Sequence, residues 1–139
     1  MDLVGHSTTV FMDPDAPPAR RYRAVLCAGT GESAARFGLR GAGYYTASSS
    51  DGLKWSMDQT TPQWRHADVI TCCHHPGQER ALVALKRHQR FKGIRRRSIW
   101  NAEFRNGEWS EAWPALIPDE FDDLAAVARG FDSTDFYGM

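Results

Sequence analysis

Short apolar runs, separated by turn-forming residues, occur along most of the chain. The runs are rich in Val, Ile, Tyr, Phe and Thr, and Gly, Pro, Asn and Asp stand between them. Both features are typical of β-strands joined by tight turns. The pattern predicts strands near 7–12, 21–27, 42–48, 53–57, 68–73, 80–86, 97–103 and 107–113. After Pro118, acidic residues followed by apolar ones predict a helix over 119–129, ending at Gly130.

The order of runs and turns in the first half of the chain is repeated in the second half. Residues 8–55 and 69–109 each contain an apolar run, a turn with proline, two further runs and a polar turn that closes on Trp-Ser. A repeat of about 50 residues with several strands has the length of a propeller blade. We therefore predict two four-stranded antiparallel blades, over about 5–58 and 66–115, with a helix and the start of a third blade over 118–139.

Composition and charge are those of a globular protein. The chain has 139 residues, of which 42% are hydrophobic and 12% aromatic, and such proportions are typical of a folded domain. Its 17 basic residues balance its 17 acidic residues. The net charge therefore predicts neither a nucleic-acid partner nor a membrane partner.

The cysteines and the N-terminus predict a reducing compartment. The chain has three cysteines, and Cys72 and Cys73 are adjacent, which does not suit a disulfide framework. The N-terminus lacks the basic and then apolar segments of a signal peptide, and no stretch approaches the ~20 apolar residues of a membrane helix. We therefore favour a cytoplasmic location.

Five short motifs follow one another over nearly the whole chain. They are Val-Phe-Met-Asp-Pro-Asp-Ala-Pro-Pro-Ala-Arg-Arg-Tyr at 10–22, Ser-Ser-Asp-Gly-Leu-Lys-Trp at 49–55, Arg-Arg-Ser-Ile at 96–99, Pro-Asp-Glu at 118–120 and Asp-Phe-Tyr-Gly at 135–138. Their order resembles that of five-bladed β-propeller proteins related to invertases, levanases and arabinanases, and more closely that of bacterial glycosyl hydrolase-like relatives. The resemblance implies a ring of five blades whose funnel carboxylates act on glycosidic bonds. The chain, 1–139, would be a single partial β-propeller domain of about two blades.

Asp68, Asp135 and His6 stand just before the first strands of successive predicted blades. First strands line the central channel of a propeller, so these positions converge at one mouth. Glycoside hydrolysis uses two carboxyl groups about 5–9.5 Å apart, one as acid and one as nucleophile or base. We predict Asp68 and Asp135 as the catalytic pair, Asp68 by its likeness to the family's funnel aspartate, and His6 as a sugar ligand. The alternatives are a terminal position without function for Asp135, a structural role for His6, and for Asp68 a strand-start cap or an ion pair with Arg65 or His66.

Basic residues are concentrated between 86 and 97, in a predicted loop joining the second and third strands of blade two. The loop would return to the mouth that holds Asp68, and guanidinium groups can bind carboxylates, phosphates or sugar hydroxyls. We predict Arg90, Arg96 and Arg97 as substrate-binding residues. The alternative is a solvated charged surface. Phe91 is the only aromatic residue of this segment, which disfavours single-stranded nucleic acid as the partner.

Two other motifs contain chemically active residue types but support neither a metal site nor a catalytic role. Consecutive strand residues point to opposite faces, so Cys72-Cys73-His74-His75 offers two metal ligands to one side, whereas a structural zinc site needs four. We predict neither a metal nor a cofactor. Asp13 lies in a turn before Pro14, where aspartate is common for conformational reasons, and we predict a structural role.

Two functions are consistent with these features. The first is a glycoside hydrolase-like propeller fragment that acts on or binds carbohydrate and is incomplete as a catalyst. The alternative is a non-catalytic scaffold that binds sugar or protein. Two open blades would also expose strand edges and blade faces, so we expect the isolated chain to be marginally stable or to self-associate.

Overall fold

The computed structural model describes residues 6–65, 68, 70–75, 78, 80–91 and 93–128, which form two antiparallel β-sheets. Sheet A contains, in spatial order, β1 (His6–Met12), β2 (Tyr22–Ala28), β3 (Gly43–Ser49) and β4 (Ser56–Met57), and β5 (Trp64–Arg65) also pairs with β3. Sheet B contains β6 (Ile70–His75), β7 (Arg80–Phe91), β8 (Ile94–Arg105) and β10 (Trp113–Leu116), and β9 (Glu108–Trp109) also pairs with β8. The prediction of a mainly β chain with two antiparallel sheets is confirmed.

Two short helices accompany the sheets. Helix α1 (Glu32–Arg36) follows β2, and helix α2 (Glu120–Val127) follows β10, inside the predicted helical segment. Three acidic residues stand in the first turn of α2, where negative charge complements the helix dipole. No helix in the described part of the chain has the length and apolar character needed to span a bilayer.

The two sheets pack against each other through a shared apolar core. Strand β1 lies beside β6, and Phe11 late in β1 stacks on His74 late in β6, with ring centroids 5.6 Å apart. The two strands therefore run in the same direction. Behind them, Val25 and Tyr44 of sheet A and Leu85 of sheet B are fully buried in one cluster.

Sheet A is buried on both faces, which explains the continuous apolar runs of its central strands. Alternate side chains of a strand point to opposite faces. In β2, Val25 faces sheet B, whereas Leu26 lies in a second cluster with Tyr45, Trp55 and Leu39. The loop containing α1 contributes to that second cluster, so the face of sheet A that is turned away from sheet B is covered by its own connections.

The structure corrects the predicted basic loop between 87 and 97. Strands β7 and β8 continue to Phe91 and Ile94 as paired partners, so this segment is a β-hairpin rather than a loop. The hydrophobic pattern ends near Lys86, but backbone pairing continues because the two strands need only each other for their hydrogen bonds. The basic residues therefore occupy defined faces of a ladder.

The predicted fourth strand of the first repeat begins later than expected, at Ser56 instead of near 53. The carboxylate of Asp51 accepts hydrogen bonds from the backbone amides of Leu53 and Lys54, each at 2.8 Å. These contacts hold the residues after Gly52 in a compact turn. In the second repeat, Asn106 and Gly107 both have positive φ, of 53° and 82°, as a two-residue hairpin turn requires.

Candidate functional site

The predicted site lies at the end of the sheets where β1 and β6 begin. The backbone of His6 pairs with Cys27 at this end of sheet A. Asp68 precedes β6, whose first residue Ile70 pairs with Leu85 of β7. Since β1 and β6 run side by side in the same direction, the structure brings His6 and Asp68 to the same end of the molecule. The side chain of His6 and the whole of Asp135 lie outside the described residues.

The carboxylate of Asp68 is bound by the ammonium group of Lys86, whose Nζ donates to Oδ2. The Lys86 side chain is only 1% exposed, whereas that of Asp68 is 39% exposed. A buried ammonium group is costly unless a counter-charge accompanies it. Asp68 therefore supplies a counter-charge and still presents part of its carboxylate to solvent. Asp68 thus forms an ion pair, but its described partner is Lys86 rather than Arg65, and His66, the other partner considered, lies outside the described residues.

Tyr44 and Cys27 lie buried beneath this ion pair. The Tyr44 hydroxyl donates a hydrogen bond of 2.8 Å to the backbone oxygen of Lys86, which ties sheet A to sheet B. Burial raises the pKa of the Tyr44 hydroxyl well above its usual value. Burial likewise raises the pKa of the Cys27 thiol to about 11, although the charge of Lys86 opposes that change. Both groups are therefore neutral near pH 7, and neither supplies a nucleophile.

The three arginines predicted to bind substrate have different environments. Arg90 is exposed, and its Nη1 donates to the backbone oxygen of Gly93 at 3.0 Å. Arg97 is half-buried and stands opposite His88 in the ladder. Arg96 is only 3% exposed, and two of its guanidinium nitrogens donate to the carboxylate of Asp123 in α2. This fork-to-fork pair docks α2 on β8 and gives Arg96 a structural role, while its predicted role in substrate binding stays a prediction.

Sequence reasoning missed two groups near the site, Lys86 and Arg87. Lys86 is the first member of a run of charges, and nothing in the run distinguishes a buried lysine from exposed ones. Arg87 places its guanidinium 4.6 Å from the centroid of the Trp100 ring. Burial is the main cause of a lowered Arg87 pKa. Trp100 pairs with Leu85, which lies two residues from Arg87 on the same face of the ladder. The contact between Arg87 and Trp100 can therefore be inferred only after the register of the two strands is known.

A second concave region lies at the opposite end of the sheets, beside the turn that follows β1. This cavity of about 250 Å³ is lined in part by Asp13, Arg23 and Phe104. Asp13 is buried and accepts a hydrogen bond from Arg23 Nε at 3.3 Å. The Arg23 guanidinium lies 5.1 Å from the centroid of the Phe104 ring. Asp13 therefore links β1 and β2 at this end, in agreement with the structural role predicted for it.

The described residues contain no group of three or more His, Cys, Asp or Glu side chains placed to hold a metal ion. Comparisons with known proteins add no further assignment, since no protein-family model, curated protein or solved structure matches the chain significantly.

Proposed function

We propose that the chain is part of a β-propeller related to glycoside hydrolases, and that it acts on or binds carbohydrate where β1 and β6 begin. The arrangement of the sheets supports this proposal. In each sheet the first three strands form a meander and the third strand also pairs with the two short strands that follow it, and the first strands of the two sheets lie side by side. Neighbouring blades of a propeller have this relationship. The motifs that resemble invertase- and arabinanase-related propellers are the reason for proposing carbohydrate as the ligand class.

The partly exposed carboxylate of Asp68 is the observation that carries the proposal. In its ion pair with Lys86, Asp68 is an anion. An anionic carboxylate can serve as nucleophile or base in glycoside hydrolysis, or accept hydrogen bonds from sugar hydroxyls. The acid in such a reaction is a second carboxyl group. Asp135 is our candidate for it.

The same ion pair favours a second candidate function, a scaffold without catalysis. Breaking a buried ion pair by removing one partner commonly costs about 3–5 kcal/mol. Asp68 is therefore needed to compensate Lys86 whether or not a sugar binds, and a purely structural role accounts for the contact. A scaffold would bind sugar or protein through other residues of the two sheets.

The experiment that separates these functions combines ligand screening with paired variants. Wild-type protein is incubated with arabinan, fructan and aryl-glycosides, and both turnover and binding are measured. Asp68→Asn is compared with Asp15→Asn, because Asp15 is exposed in the turn after β1, at the other end of the sheets. Loss of turnover or binding in Asp68→Asn alone supports the proposal.

A double variant excludes loss of stability as the cause. Asp68→Asn leaves the buried Lys86 ammonium without its carboxylate, whereas Asp68→Asn/Lys86→Met removes both charges and replaces a buried cation by an apolar chain of similar length. We expect the double variant to regain melting temperature without regaining carbohydrate binding. Recovery of both properties identifies Asp68 as a structural residue, and no binding to any carbohydrate contradicts the proposal.

A further inference from the structure

Strands β7 and β8 extend beyond the rest of sheet B as a two-stranded ribbon, residues 86–98. The first residue of β6, Ile70, pairs with Leu85, and the last residue of β10, Leu116, pairs with Ile99. Past these positions, among the described residues, β7 and β8 pair only with each other until the turn at Gly93, where φ is +83°. An isolated two-stranded hairpin is marginally stable in water. The extension of this ribbon beyond the rest of the sheet therefore needs an explanation.

One face of the ribbon concentrates positive charge. Residues directly opposite in an antiparallel ladder share a face. Arg90 stands opposite Arg95, and one step closer to the sheet His88 stands opposite Arg97. Arg90 and Arg95 are both exposed, and among the described residues neither forms an ion pair. Like charges placed directly opposite destabilise a ladder, and a bound anion would remove that cost.

The other face of the ribbon has its charges compensated. Arg87 lies over the Trp100 ring, and Arg96 is paired with Asp123 of α2. The far end of the same ladder shows a similar compensation, since Arg80 stands opposite Arg105 but is also paired with Glu103 at 3.4 Å. Arg90 and Arg95 differ from Arg80 and Arg96 because no described carboxylate forms an ion pair with either of them.

We propose that this face of the ribbon binds the carboxylates of an anionic polysaccharide, one that contains uronate units. The inference rests on the proposed carbohydrate function and narrows its ligand class. Lys86, His88 and Arg90 alternate along one face of β7, so the distance from the Asp68–Lys86 pair to Arg90 is about 14 Å at the usual rise of a strand. A short oligosaccharide spans that distance. Its carboxylates would receive paired hydrogen bonds from guanidinium groups.

The charge distribution favours a sparsely charged polysaccharide over duplex nucleic acid. Nucleic-acid affinity depends on many phosphate contacts made by basic residues. Here the basic face is small, and Arg96 brings the acidic first turn of α2 against the ribbon. Those carboxylates would repel a dense phosphate backbone, whereas carboxylates spaced along a sugar chain can occupy the basic face alone.

Calorimetric titration with galacturonate oligomers tests the inference, because methyl esterification removes their charge and keeps the sugar backbone. Arg90→Gln/Arg95→Gln is compared with Arg80→Gln/Arg105→Gln, which lies on the same face at the other end of the ladder. We expect the ribbon variant and the esterified oligomers each to bind roughly tenfold more weakly than wild type with the charged oligomers. The control variant should bind like wild type.

Equal binding by Arg90→Gln/Arg95→Gln, or equal binding of esterified oligomers, overturns the inference. Tighter binding of a short DNA duplex that displaces the oligomers also overturns it, in favour of a nucleic-acid partner. If neutral carbohydrates bind in an Asp68-dependent way while the ribbon variant changes nothing, the inference fails and the proposed function stands. If the ribbon binds galacturonate and Asp68→Asn changes neither binding nor turnover, the inference stands and the Asp68 site fails.

Discussion

Among the described residues, three ion pairs with buried cations join separate elements of the molecule, and each cation belongs to a strand that has neighbours on both sides in its sheet. Lys86 of β7 binds Asp68, Arg96 of β8 binds Asp123, and Arg23 of β2 binds Asp13. Buried charges of this kind specify which segments meet, because a displaced partner leaves a charge uncompensated. The ends of β1 and β6 and the position of α2 are therefore fixed by single residues.

Tyr44→Phe should lower stability without changing the fold. The substitution removes only the hydroxyl that donates to the Lys86 backbone oxygen, a contact made in the buried interior between the two sheets. A lost hydrogen bond of this kind costs about 1–2 kcal/mol, and the urea midpoint should decrease accordingly. Tyr22→Phe is the control, since the Tyr22 hydroxyl accepts an exposed hydrogen bond from Arg21. Equal midpoints for Tyr44→Phe and wild type would contradict the assignment of this contact.

The buried thiols predict a loss of stability at alkaline pH. Burial raises the pKa of Cys27 to about 11 and that of Cys72 to about 12, against 9.0 for an unperturbed thiol. Above pH 9 the unfolded chain releases thiol protons that the folded chain retains, so folding becomes less favourable until the folded thiols also ionise. The urea midpoint should therefore fall as the pH rises from about 9 to the folded pKa values of about 11 and about 12. Cys27→Ala/Cys72→Ala should show a smaller decrease, and an identical decrease would refute the proposed cause.

Turns and close approaches set the ends of the strands. The Asn106–Gly107 turn uses two positive φ angles to reverse the chain between β8 and β9. At Gly43, the first residue of β3, an added Cβ would lie 2.6 Å from the backbone oxygen of Trp64 and 2.4 Å from Pro62 Cβ. A glycine is required there because β5, which pairs with the start of β3, and the preceding Pro62 leave no room for a side chain. In the turn between β3 and β4, hydrogen bonds from the backbone amides of Lys54 and Leu53 lower the pKa of the Asp51 carboxyl group.

Gly107→Ala tests the turn and should destabilise the protein by about 1 kcal/mol. The added methyl group has no atom within 4 Å, so the cost arises only from the φ of +82°. Gly29→Ala is the matched control, because its Cβ also has no neighbour within 4 Å and its φ is not positive. The thermal midpoint should decrease in the first variant only. A decrease of the same size in both would show that the turn geometry is not responsible.

The molecule exposes a group of apolar side chains on the last two elements of its described part. They are Trp113 and Leu116 of β10 and Phe121 and Leu124 of α2, and Phe121 is 75% exposed. Sheet B also exposes Leu82 on the face turned away from sheet A. Such surfaces favour association, in line with the expectation that two open blades self-associate.

Sedimentation equilibrium should reveal concentration-dependent association of the wild-type chain. Phe121→Ser/Leu124→Ser removes apolar surface from α2 and should weaken association by about thirtyfold or more, since each side chain buries an area worth more than about 1 kcal/mol. Leu53→Ser is the control, because Leu53 is as exposed but lies in the turn before β4. A monodisperse wild-type monomer at all concentrations would disprove the expectation.

The strand pattern and the repeat were predictable from the sequence because they depend on local preferences. Apolar runs between Gly, Pro, Asn and Asp located most of the strands. The helix over 120–127 followed from its acidic start and apolar continuation. Each of these features is determined within a few residues of the chain.

The tertiary structure alone decided which charges are buried and which segments continue as strands. The stretch from 86 to 97 reads as a uniform charged run, yet it contains a buried lysine, a buried arginine and an exposed basic rung. Those differences depend on the register of β7 with β8 and on Asp68 and Asp123, which are distant in sequence. Register and long-range ion pairs are properties of the folded ladder, because a shift of one residue would move every side chain to the other face.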